Sequence, residues 1–164
     1  MASSMQEKNW RVWLWAYAPI LLWVSFIFFL SSDSGSSVQT SRFVRPLLHF
    51  LFPTAPKSTI DVYHYYIRKA AHFTEYAILA LLAARTVIKL RPSLRFWPGI
   101  VLGFVAVVAC ADELYQTRNV SRTPSPYDSL LDICGGIFAI AILWLVLRRR
   151  RSRDVSPSGE EVQV

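Results

Sequence analysis

From Val12 to Leu30 the chain runs nineteen residues without a charged side chain, with only Pro19 and Ser25 breaking the apolar run. At ~1.5 Å per residue a helix of that length reaches roughly 28 Å, close to the hydrocarbon thickness of a bilayer. Three further blocks follow: one from His72 through YAILALLAARTVI to Ile88, one from Phe96 to Ala111 and beyond, and one from Ser129 to Leu147. Their lengths far exceed what a barrel strand needs, and no two-residue alternation appears, so they are helices. Composition agrees. The chain is 53% apolar and only 18% charged, where a soluble domain usually has ~25% charged residues. Two cysteines exclude a disulfide scaffold and a multi-cysteine zinc framework. The pattern predicts an all-α, polytopic membrane bundle of four transmembrane helices, with spans about 12–30, 68–88, 96–116 and 128–147 in one domain, 1–147. The first block is too long for a signal-peptide core and reads as an uncleaved span.

Orientation follows from Lys and Arg. With the N-terminus inside, the inner flanks hold ten basic residues and the outer flanks seven, and the run Arg148–Arg151 abuts the last span as an anchor. Both termini are therefore expected in the cytoplasm. The net charge of +7 does not imply nucleic acid, because the basic run lies against a membrane span and acidic residues follow it; the expected partner is the lipid bilayer. The tail 148–164 reads as basic and then disordered. The segment 31–67 is long for a simple connection. It opens with a flexible SSDSGSS stretch and continues as RFVRPLLHFLFPTAP. Phe43, Leu47, Phe50 and Leu51 there share one helical face, which predicts a short interfacial helix with Pro46 near its first turn. An irregular loop over the bundle is the alternative.

Ionisable groups are costly in a bilayer, at least ~2.5 kcal/mol at a helix centre, so their placement carries information. They gather at the span ends. The second span enters with Arg68, Lys69, His72, Glu75 and Tyr76; Lys69, His72 and Tyr76 form one stripe, and Arg68, His72 and Glu75 another. The third leaves through Asp112, Glu113 and Gln116, and the fourth enters through Asp128 and Asp132. Two spans separate the first cluster from the second and none separates the second from the third, so all of them meet the same leaflet whichever way the chain inserts. A polar site at the outer membrane boundary is the consequence.

The pairing of RKAAHFTEYAILA with DELYQTRNVSRTPSPYDSLLDICG resembles the VanZ-like family of small bacterial integral membrane proteins. Asp112, Glu113, Gln116, Arg122, Asp128 and Gly135 match its second block, His72 and Tyr76 its first, and Ser31 and Ser32 the motif after the first span. Arg118, Val120, Ser121 and Asp132 depart from its pattern. The resemblance implies a place in the bacterial cell (inner) membrane and a link to glycopeptide resistance, since the family's namesake is tied to resistance to teicoplanin. It supplies no mechanism.

Chemistry must come from the residues. One reading is an enzyme on a lipid-linked or other envelope substrate. His72 would move a proton near neutral pH, Glu75, Asp112 or Glu113 would orient it or act as the acid, and Arg122 and Lys69 would grip an anionic group. Tyr76, Gln116, Asp128 and Asp132 would complete the substrate-binding wall. No nucleophile is recognisable. A second reading is binding of an anionic envelope ligand without turnover, and a third is a polar cluster that only fixes helix register. His72, Glu75, Asp112, Glu113, Asp128 and Asp132 are all possible metal ligands, but HisxxGlu is a weak signal without a second His nearby, which disfavours Zn²⁺. A carboxylate-bound Mg²⁺ or Ca²⁺ is the easier alternative, and neither metal nor cofactor is expected. GIVLG at Gly99–Gly103 reads as close helix packing within the bundle, Gly135 and Gly136 as tight packing beside the site, and Cys110 and Cys134 as free thiols buried as small apolar groups or, less simply, a pair. Trp10, Trp13, Trp15, Trp97 and Trp144 read as an inner aromatic belt, and Tyr63, Tyr65 and Tyr66 as an outer one.

Overall fold

In a computed structural model the chain is described over residues 2–32, 37–118 and 126–154, with side chains over 10–32, 40–118 and 127–150. The SSDSGSS stretch (in large part), Arg122 and the end of the tail, 155–164, lie outside the described residues. Five helices account for nearly all of the rest: α1 (Ala2–Ser31), α2 (Ser37–Leu51), α3 (Lys57–Leu90), α4 (Trp97–Gln116) and α5 (Pro126–Asp154). Three of them contain stretches long and apolar enough to cross a membrane, Trp10–Ser31, Trp97–Gln116 and Tyr127–Arg150. These coincide with the first, third and fourth expected spans to within about three residues. α3 holds the whole second block and is not in that set.

α3 begins well before the expected 68. Its 34 residues would reach about 51 Å, so its first turns project beyond any membrane-spanning part. It stops where Pro92 forces the preceding Arg91 out of the helical region, at φ −139° and ψ 67°. α2 packs on the projecting turns of α3. Its Leu48 is buried, and Arg45 and Asp61 join the two helices through a 2.7 Å ion pair. Phe43, Leu47, Phe50 and Leu51 remain exposed as an unpartnered apolar face. Pro46 lies inside α2 and not in its first turn. The turn before it therefore carries one unbonded carbonyl, which an exposed helix can give to solvent.

α3 is the centre of the bundle, in contact with each of the other helices. Its inward stripe is Tyr76, Leu79, Ala80, Ala83 and Ala84, and α4 meets it with Val101, Val105, Val108 and Ala109. The alanines allow a close approach in a setting where tight packing, not hydrophobic transfer, must hold helices together. Thr86 adds a buried hydrogen bond of 2.8 Å to the Ala16 carbonyl of α1.

α5 comes nearest. A Cβ on Gly135 would stand 2.2 Å from the Phe73 carbonyl oxygen, and one on Gly136 2.9 Å from Val105 Cγ1. These two positions let α5 seat on α3 and α4 together. Gly99 and Gly103 behave differently: nothing lies within 4 Å of a Cβ built at either. The small face of GIVLG is turned away from the bundle and does not pack within it, against expectation. Cys110 and Cys134 are free and exposed on the bundle surface, so they do not serve as small core residues.

Candidate polar site at one end of the bundle

The inward stripe of each central helix changes character at the same end. On α4 the buried positions run Val101, Val105, Val108, Ala109, Asp112 and Gln116, a single face that is apolar for about two turns and then polar. On α3 the stripe runs back from Ala80 through Tyr76, fully buried, to His72. On α5 it runs from Ile140 and Ala139 past the two glycines to Asp132. Asp112 and Asp132 are each only 1% exposed. Side chains that would be costly against lipid are thus enclosed by the helices that carry them.

Within this enclosure His72, Asp112 and Asp132 each present one ligand-type atom, all within 4.8 Å of one another. Asp132 Oδ1 stands 3.5 Å from His72 Nδ1. Gln116 Nε2 donates to Asp112 Oδ2 at 2.9 Å and to Ser31 Oγ at 3.4 Å, which draws the end of α1 into the site. The Tyr76 hydroxyl lies in the field of Asp112, Asp132 and Glu75. At the rim Lys69 donates to Asp128 Oδ1 and pairs with it, joining α3 to α5. Trp23 Nε1 donates to the Glu75 carbonyl at 2.9 Å and holds α1 against α3 just below.

Of the residues expected in the site, His72, Tyr76, Asp112, Gln116 and Asp132 converge in its interior, and Lys69 and Asp128 form its rim. Glu75 and Glu113 are half-buried beside them, and Arg122 lies outside the described residues. The carboxylate set against His72 Nδ1 is Asp132, which the sequence suggests for substrate binding, while Glu75, Asp112 and Glu113 are the residues it suggests for that position. Ser31, 2% exposed, was not singled out as a site residue. Its only signal was its place in the double serine at the end of the first span. Chemically the site offers a proton carrier between two buried carboxylates, with one amide holding a carboxylate in place.

Neither a curated protein nor a solved structure matches the chain. A family model for VanZ/LLP1 matches residues 15–147, from the first turns of the apolar part of α1 to the end of the apolar part of α5, and the chain belongs to the VanZ-like family.

Proposed function

We propose that this VanZ-like protein crosses the bacterial inner membrane four times, with both termini in the cytoplasm, and that its polar end acts on a lipid-linked or other cell-envelope substrate at the outer boundary. The fourth crossing is the 68–88 part of α3, whose His72 and Tyr76 are turned into the bundle. One observation carries the proposal: the stripes of three helices become polar at one end and bring His72, Asp112 and Asp132 within 4.8 Å of one another under nearly complete burial. Register needs only a pair or two of buried polar groups. An imidazole between carboxylates is an acid–base device, able to take a proton from one group and return it to another. Lys69 is paired with Asp128, so of the two cations the sequence suggests for gripping an anionic headgroup we assign that role to Arg122, through a bidentate contact.

Family membership extends the proposal to protection against teicoplanin. The test is teicoplanin susceptibility of bacteria expressing the tagged chain or its variants, with membrane levels measured alongside. Wild type is expected to protect, His72→Ala and Asp112→Asn to abolish protection at unchanged levels, and Glu113→Gln to keep more of it. Protection by all variants alike, or lost only together with the protein, would overturn the proposal. That second outcome favours a non-catalytic structural role for the cluster, which has its own support in the Lys69–Asp128 and Gln116–Asp112–Ser31 links between helices. Accessibility of tags in the connecting segments tests the four crossings and the cytoplasmic termini.

A further inference from the structure

We infer that His72, Asp112 and Asp132 form a binding site for one divalent transition-metal ion. Two carboxylates, each 1% exposed, and an imidazole whose side chain is 13% exposed face one small space inside the bundle. Buried carboxylates need positive charge beside them, and His72, 3.5 Å from Asp132, supplies it only when protonated, while Lys69 is bound to Asp128 at the rim. Three polar atoms are also left over. His72 Nδ1 and Asp132 Oδ1 face each other at 3.5 Å, and neither they nor the Tyr76 hydroxyl make a hydrogen bond, although Asp132 and Tyr76 are almost completely enclosed. Native proteins rarely leave such atoms without a partner, and a cation between them satisfies several at once.

The spacing fits. Ligand atoms about 2.0–2.2 Å from a tetrahedral ion lie roughly 3.4 Å from one another, and His72 Nδ1 stands 3.5 Å from Asp132 Oδ1. The third ligand atom, on Asp112, falls within 4.8 Å of both. Gln116 already holds the other part of the arrangement, because its 2.9 Å hydrogen bond orients the Asp112 carboxylate. Outlying hydrogen bonds of this kind commonly fix metal-binding carboxylates.

One imidazole nitrogen with two carboxylate oxygens is a borderline donor set, which suits Mn²⁺ or Zn²⁺ better than Mg²⁺ or Ca²⁺. Three protein ligands leave at least one position for water or for a substrate oxygen, as in catalytic rather than structural sites. Which of the possible ligands meet is not legible in the sequence, because they come from three helices at separations of 40 and 20 residues. The sequence offers these three among six possible ligands, with Glu75, Glu113 and Asp128, and does not single them out.

The inference stands apart from the proposed envelope function, because its readout is metal content and not protection. The full chain, purified in lipid nanodiscs and stripped with a chelator, is dialysed separately against Mn²⁺, Zn²⁺, Mg²⁺ and Ca²⁺. Bound metal is counted by mass spectrometry and unfolding temperature is recorded. The expected result is one Mn²⁺ or Zn²⁺ per chain, with a raised unfolding temperature. Asp132→Asn, close to isosteric, is expected to weaken affinity at least tenfold, and Gln116→Leu about tenfold through its loss of orientation. His72→Gln serves where Asp132→Asn does not fold, and Lys69→Met is expected to retain full stoichiometry. No bound ion in the folded wild type, or equal binding by wild type and a folded Asp132→Asn or His72→Gln chain, would overturn the inference.

Discussion

The two ends of the bundle are both rich in charge and use it in opposite ways. At one end Asp112, Asp132 and His72 turn inward and are shielded by α3, α4 and α5. At the other, Arg91, Arg95 and Arg148 are exposed around a cavity of about 1020 Å³, together with Trp97 and Trp144, and the Arg148 guanidinium lies 5.3 Å from the Trp144 ring centre. Exposed basic groups with aromatic neighbours suit a headgroup layer, where each contributes about 1 kcal/mol of attraction to anionic lipid. Enclosed carboxylates do not suit lipid at all. Charge at a span end is therefore no guide to function until its direction relative to the bundle is known.

The sharpest way to break this contrast is to open the enclosed end. Gly135→Ala places a methyl group where the Phe73 carbonyl stands, 2.2 Å away, and backbone cannot give way as a side chain can. A loss at or above the upper end of the ~1–3 kcal/mol typical of overpacking is expected, read as loss of folded protein in a reversible denaturation series. Gly103→Ala, with nothing within 4 Å, is expected to be neutral. Equal effects at the two glycines would mean that α5 does not seat on α3 as described.

Next in size is the rim. Lys69 and Asp128 are only 24% and 15% exposed in their side chains, so Lys69→Met leaves a carboxylate poorly hydrated and is expected to cost about 1.5–3 kcal/mol. Replacing both partners by apolar residues should recover most of that loss, which a double-mutant cycle measures. Arg45 and Asp61 are a pair of the same kind, with side chains 43% and 44% exposed. Arg45→Met is expected to cost no more than about 1 kcal/mol. A smaller step tests the apolar middle: Thr86→Val removes the buried bond to Ala16 and is expected to cost roughly 0.6 kcal/mol, the usual value for such bonds between membrane helices.

These contrasts also show how far the sequence could be read. The apolar blocks were legible because membrane spans need length above all, and three of them return as helices within a few residues of their expected bounds. The start of α3 was not legible. Residues 57–67 are held by α2 through Leu48 and the Arg45–Asp61 pair rather than by an apolar run of their own. In the site, the gathering of polar groups at one end of the bundle follows from counting the helices. Which of them turn inward follows from extending each apolar stripe, and that step favours Asp112 over its neighbour Glu113, because Asp112 continues Val101, Val105 and Val108. The pairing of His72 with Asp132 could not be read, since periodicity fixes direction on one helix and says nothing of the rotation of its neighbour. The inward turn of α5 is set by the Gly135 contact with Phe73, one residue after the position where His72 leaves the helix surface.

The smallest expected effect concerns the projecting turns of α3, where the comparison between enclosed and exposed charge recurs on a reduced scale. His64 is 7% exposed under α2. Burial holds its pKa below the ordinary value by disfavouring the charged imidazole, Arg68 and Arg45 push in the same direction, and Asp61 opposes them. The folded chain thus prefers neutral His64, and the unfolded chain binds the extra proton. Stability from this group is complete above the unfolded value of about 6.5 and is lost as pH falls below it, through the lower folded value. Denaturation at pH 7.5 and at 5.5 should show wild type weakened at the lower pH, and His64→Asn weakened less between the same two points. Arg45→Met, which removes one of the two cations, should also flatten the slope. An unchanged slope in His64→Asn would assign the proton to another group and leave the α2–α3 contact without a role in acid sensitivity.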